Sequence, residues 1–114
     1  MSSRFIASLC LGAALAGCAT VRGGSEQPEF VGRSMQVETS AGQVTTLSFR
    51  QDGGVTARFG ARETQGRWSL ERRQLCFTWP RDFRECWPYE RRFRAGRTVT
   101  IRSDRGNVVQ VTMR

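Results

Sequence analysis

Leu47-Ser48-Phe49-Arg50-Gln51-Asp52-Gly53-Gly54-Val55-Thr56-Ala57-Arg58-Phe59 places its apolar side chains at odd positions on both sides of a polar, glycine-containing break. Period-two alternation is the strand signature, because successive side chains of a strand point to opposite faces. Setting Phe49 opposite Val55 and Leu47 opposite Ala57 gathers all four on one face. It also leaves Gln51-Asp52-Gly53 as the loop, whose last member can take the left-handed conformation that a short hairpin loop needs. One register therefore satisfies both the buried face and the turn.

The same construction recurs outward from this hairpin. Val99 and Ile101 lead into Asp104-Arg105-Gly106, and Val109, Val111 and Met113 leave it. Trp68 and Leu70 precede Arg72-Arg73 and pair with Phe77 and Leu75 beyond. Read in this way, the chain contains up to eight short strands, near 34–39, 43–50, 54–60, 65–70, 74–79, 84–93, 97–102 and 107–113. No segment after residue 30 carries a helical stripe. The expected fold is all-β: an antiparallel up-and-down meander that closes into a small barrel or curls as a partly open sheet. Closure removes the exposed edges that invite aggregation.

Composition narrows the chemistry. The chain has 114 residues, 18 arginines with no lysine, no histidine, 10 carboxylates and four cysteines. That length allows one small domain. Without histidine or lysine, the usual general base, zinc ligand, Schiff-base amine and phosphate-loop lysine are all missing, so no enzyme and no cofactor is expected.

Arg4 is followed by an uncharged run from Phe5 to Ala16, the length of a signal-peptide hydrophobic region and too short to span a bilayer, which takes roughly 20 residues. The run forms an expected signal helix and ends in Leu15-Ala16-Gly17-Cys18. This tetrapeptide resembles the lipobox of bacterial lipoproteins. The resemblance implies cleavage before Cys18, acylation of that residue, and an outer-membrane location, since Ala19 stands where an aspartate favours inner-membrane retention. The expected organisation is a signal peptide over 1–17, an acylated and flexible tether over 18–31, and a β domain over 32–114 facing the periplasm.

In the exported domain only Cys76 and Cys86 remain, on strands flanking Pro80-Arg81-Asp82. A lone pair in an oxidising compartment reads as a structural disulfide. Gly66-Arg67-Trp68, Leu75-Cys76 and Cys86-Trp87 together resemble a pattern in small uncharacterised exported proteobacterial proteins. The eight-strand meander with one disulfide is similar to lipocalin-like small barrels, among them periplasmic metalloprotease inhibitors.

The segment Trp79 to Arg94 packs five aromatics and five arginines into sixteen residues. Guanidinium groups between rings can bind phosphates or stack on sugars. The ligand-facing residues expected from it are Arg81, Arg84, Trp87, Tyr89, Arg91, Arg92 and Arg94. A packing role for Trp79 and Trp87, with arginines on the wet face, is the competing reading. Without Arg4 the chain keeps seventeen arginines against ten carboxylates. In an envelope this favours an anionic lipid, a glycan or an acidic protein as partner, and not nucleic acid. The expected function is a lipid-anchored, non-enzymatic binding or envelope-structural module; the alternative is a periplasmic inhibitor of a lysozyme or protease.

Overall fold

The computed structural model describes residues 27–114. The expected signal helix, Cys18 and the tether up to residue 26 lie outside the described residues. Eight strands follow: β1 (Ser34–Thr39), β2 (Val44–Phe49), β3 (Gly54–Phe59), β4 (Arg62–Glu71), β5 (Gln74–Trp79), β6 (Phe83–Pro88), β7 (Thr98–Arg102) and β8 (Val108–Met113). Every pairing is antiparallel. The order across the sheet is β6-β5-β4-β3-β2-β1-β8-β7. Pairing of β1 with β8 sets Met35 opposite Met113 and Val37 opposite Val111, which curls the meander into a nearly closed barrel with one seam between β6 and β7.

The registers follow the hydrophobic pattern. Leu47 faces Ala57 and Phe49 faces Val55. Trp68 faces Phe77, Leu70 faces Leu75, and Cys76 faces Cys86. Gly53 and Gly106 both adopt positive φ, +92° and +85°, at the loop ends where the hairpins require it. The inward side chains form a single core.

Three departures from the sequence reading have physical causes. First, β4 starts at Arg62, because the Gly60-Ala61 turn sets Arg62 opposite Phe59 and extends the ladder through residues with no apolar signal. Second, the strand expected over 84–93 stops at Pro88, opposite Gln74, where β5 begins and no partner backbone remains. Tyr89 N–H makes one more bond, to the Arg73 carbonyl at 2.7 Å, and the chain then turns so that Phe93 is buried under the barrel end. Third, Glu29 and Phe30, placed by the sequence in the tether, belong to the folded body. Phe30 is fully buried and its ring lies 4.7 Å from that of Phe49 and 5.2 Å from that of Trp68.

The β6 edge at the seam is not left bare. Cys86 N–H donates to Asp104 Oδ1 and the Cys86 carbonyl accepts from Asp104 N–H, both at 2.9 Å. Arg105 Nε–H donates to the Arg84 carbonyl at 2.7 Å, and its guanidinium lies 4.2 Å from the Phe83 ring centroid. The β7–β8 turn therefore caps this edge with one backbone and two side-chain bonds in place of a ladder. Pro88 shares the strand parity of Cys86, so it faces the seam, where a missing N–H costs no ladder bond.

Cys76 and Cys86 are joined by a disulfide, with Cα atoms 4.0 Å apart. Closing so short a loop stabilises by on the order of 2 to 3 kcal/mol in the chain-entropy model. Their parity opposes that of Leu75, Phe77 and Trp87, so the bridge sits on the outer wall, yet both residues are buried. Arg84 Nη2 donates to Glu71 Oε1 at 2.9 Å. The register puts these two on opposite sides of the Cys76 row, so the ion pair straddles the disulfide.

Candidate functional site

The barrel has two unlike ends. At one, the turn from Pro28 to Arg33 inserts Phe30 among Phe49, Trp68, Tyr89 and Phe93, with ring centroids between 4.7 and 6.3 Å of its own. Trp68 Nε1–H donates to the Arg50 carbonyl at 2.9 Å. Glu29 ties this plug to the β6–β7 loop: Tyr89 Oη–H donates to Oε1 at 2.6 Å and Phe93 N–H to Oε2 at 2.7 Å. Arg92 Nε lies 3.6 Å from the same carboxylate. Burial, reinforced by the hydrogen bond to Glu29, pushes the Tyr89 phenol well above its ordinary value.

Around this plugged end stand nine arginines in the loops and strand junctions: Arg33, Arg50, Arg72, Arg73, Arg91, Arg92, Arg94, Arg97 and Arg114, all exposed. Only Glu29, Asp52 and Glu90 accompany them in those segments. The loops of the opposite end, residues 40–43, 60–61, 80–82 and 103–107, hold two arginines and two aspartates. Charge is thus sorted along the barrel axis, and the described chain begins at the basic end, with the Pro28–Arg33 turn.

The opposite end opens into a cavity of about 540 Å³ between the barrel walls. Val37, Leu47, Ala57 and Val109 line one side; Phe77, Trp79 and Trp87 line the other. Phe77 and Trp79 stack at 5.9 Å with rings 12° apart, and Trp87 meets Phe77 edge-on at 4.8 Å. Gly66 makes this wall possible. A Cβ there would lie 2.5 Å from the Trp79 ring and 2.8 Å from the Thr78 carbonyl oxygen. The Gly66-Arg67-Trp68 pattern is therefore a packing device, with room at Gly66 for Trp79 and a plug contact at Trp68.

The seven residues expected to form one ligand surface are dispersed. Arg91, Arg92 and Arg94 join the basic end, and Tyr89 lies in the plug beneath them. Arg81 sits at the other end in the Pro80–Asp82 turn with φ +68°. Arg84 is on the outer wall, engaged with Glu71, whose hydrogen bonds from Ser69 and then Arg84 hold its carboxyl below the usual value. Trp87 points inward and is buried. The physical reason is the length of β6: six residues at about 3.3 Å each separate the two groups of arginines by roughly 20 Å. Of the carboxylates in the same segment, Asp82 lies in the turn, Glu85 in the cavity and Glu90 in the opposite loop.

Sequence reasoning missed Arg33, Arg50, Arg72, Arg73, Arg97 and Arg114, which are scattered along the chain. Their signal was available: each stands at or beside the end of a strand, on every second connection of the meander. It also missed Phe77, Trp79 and Asn107 as cavity residues. Among the described residues there is no group of His, Cys, Asp or Glu that could hold a metal, and no helix long and apolar enough to cross a membrane. No protein-family model, curated protein or solved structure matches this chain.

Proposed function

We propose that this protein is an outer-membrane lipoprotein, acylated at Cys18, whose periplasmic β domain is a non-enzymatic module that engages an anionic membrane surface through its basic end. The observation that carries this reading is the sorting of arginines to the end at which the described residues begin, so that Cys18, nine residues before Gln27, would anchor the domain from that side. A lipid anchor there holds nine arginines and only three carboxylates toward the headgroups. Each cation close to an anionic surface contributes about 1 kcal/mol, and the attraction falls off within a Debye length, roughly 8 Å at physiological salt. Plugging that end with Phe30 keeps the aromatic core dry against the headgroup layer, while the cavity mouth faces away.

Two experiments test this. Metabolic fatty-acid labelling should disappear in Cys18→Ser; labelling that persists defeats the anchor. The chain from Ala19 onward, which holds all eight strands and no anchor, should co-sediment with phosphatidylglycerol vesicles and not with phosphatidylcholine. High salt, or Arg91, Arg92 and Arg94 changed together to Gln, should weaken that binding at least tenfold. Equal binding to both vesicle types, or none to either, rejects the basic end as a membrane-facing surface.

A further inference from the structure

We infer that the cavity at the other end is a binding site for a small organic ammonium ion carrying an apolar substituent. This stands independently of the membrane reading, since it rests on different residues at the far end of the barrel. About 540 Å³ falls in the range of small-molecule sites, and the walls set aromatic and aliphatic side chains beside the polar Thr39, Ser40, Thr45 and Asn107. One ionisable group among the described residues lines it: Glu85, which projects inward from β6 opposite Phe77 and is half-buried.

Glu85 is not consumed by the fold. Its Oε2 accepts from Asn107 Nδ2 at 2.7 Å, and Oε1 has no protein partner among the described residues. No arginine lines the cavity with it. A carboxylate with no cationic side chain beside it in the cavity selects a cation, and the rings of Phe77, Trp79 and Trp87 in the same lining supply π faces on which an ammonium is stabilised. Asn107 fixes the carboxylate from the mouth side, leaving the free oxygen for the ligand. The strong positive charge of the chain does not oppose this, because the basic end lies roughly 20 Å away, more than two Debye lengths. At the mouth itself the loops are balanced in charge.

The test uses the full chain in a neutral detergent, titrated with benzyltrimethylammonium and with its uncharged isostere neopentylbenzene. The cation should bind one-to-one and perturb tryptophan fluorescence, with at least tenfold higher affinity than the neutral compound. Glu85→Gln, which retains an acceptor for Asn107, should erase that preference, and Ala57→Leu should block both compounds by filling the cavity. A wild-type protein that binds the two equally, or binds neither, overturns the inference without recourse to any variant. Unchanged cation affinity in folded Glu85→Gln overturns it as well.

Discussion

Tyr89 and Glu29, sixty residues apart in the chain, share a 2.6 Å hydrogen bond that fastens the β6–β7 loop to the segment entering β1. The pairing closes the plugged end from two sides, since Glu29 also accepts from Phe93 N–H. It joins the Pro28–Arg33 turn to the loop that carries Arg91, Arg92 and Arg94.

Tyr89 is the one tyrosine of the chain, so its ionisation is directly visible as phenolate absorbance. Its folded pKa is raised, whereas the unfolded value is about 10. A raised pKa means that the folded state keeps a proton the unfolded state releases. The stabilisation is therefore complete below pH about 10 and is lost as pH rises beyond it. Phenolate should appear only together with unfolding, and Tyr89→Phe should flatten the alkaline decline in stability. A reversible titration near pH 10 in the folded protein contradicts the half-buried, Glu29-bonded phenol.

Gly66→Ala should destabilise the barrel by about 1 to 3 kcal/mol, the usual cost of overpacking. The new methyl meets the Trp79 ring at 2.5 Å and the Thr78 carbonyl at 2.8 Å, and the backbone oxygen cannot move aside without breaking the sheet. Thermal unfolding measures it. Adding Trp79→Leu should recover part of the loss; no recovery means the carbonyl contact dominates.

At the seam, Asp104→Ala removes the acceptor of Cys86 N–H and should cost about 1 to 3 kcal/mol, the penalty for a buried unpaired donor. Asp104→Asn keeps the acceptor and should cost less. Hydrogen exchange gives the local readout. The Cys86 amide should exchange much faster in Asp104→Ala, while amides in the β1–β8 ladder change only by the global loss of stability.

The β4–β5 turn places two non-glycine residues in the left-handed region, Arg72 at φ +47° and Arg73 at φ +65°. Side chains with a Cβ pay roughly 1 kcal/mol or more each there. Replacing the pair by Asn-Gly, which suits a two-residue hairpin turn, should stabilise by about 1 kcal/mol or more. In a domain of this size that raises the unfolding midpoint by roughly 4 to 8 °C. No gain means that the arginine side chains return the strain through contacts of their own. Vesicle binding should fall in the same variant, because two cations leave the basic end.

The sequence alone determined the run of eight strands, the registers of the Leu47–Ala57 and Trp68–Phe77 hairpins and the disulfide, because these depend on neighbours. Alternation puts Leu47 and Phe49 on one face, and a short loop leaves Ala57 and Val55 as the matching partners. Hairpin geometry then sets Cys76 beside Cys86. A strand that continues past its partner, such as the expected 84–93, shows where neighbour rules stop: Pro88 ends β6 because β5 has already ended opposite it. What only the tertiary structure decided depends on which strand ends meet. Closure of β1 on β8 brings Arg33 to Arg114, whose carbonyl accepts from the Arg33 guanidinium at 3.2 Å across 81 residues. The same closure divides the aromatic and arginine-rich segment 79–94 between two ends of one barrel. Within that segment, strand alternation alone sends Trp87 inward and Arg84 outward. Closure also leaves Glu85 lining a cavity that no local pattern marks, because its walls are drawn from six different strands.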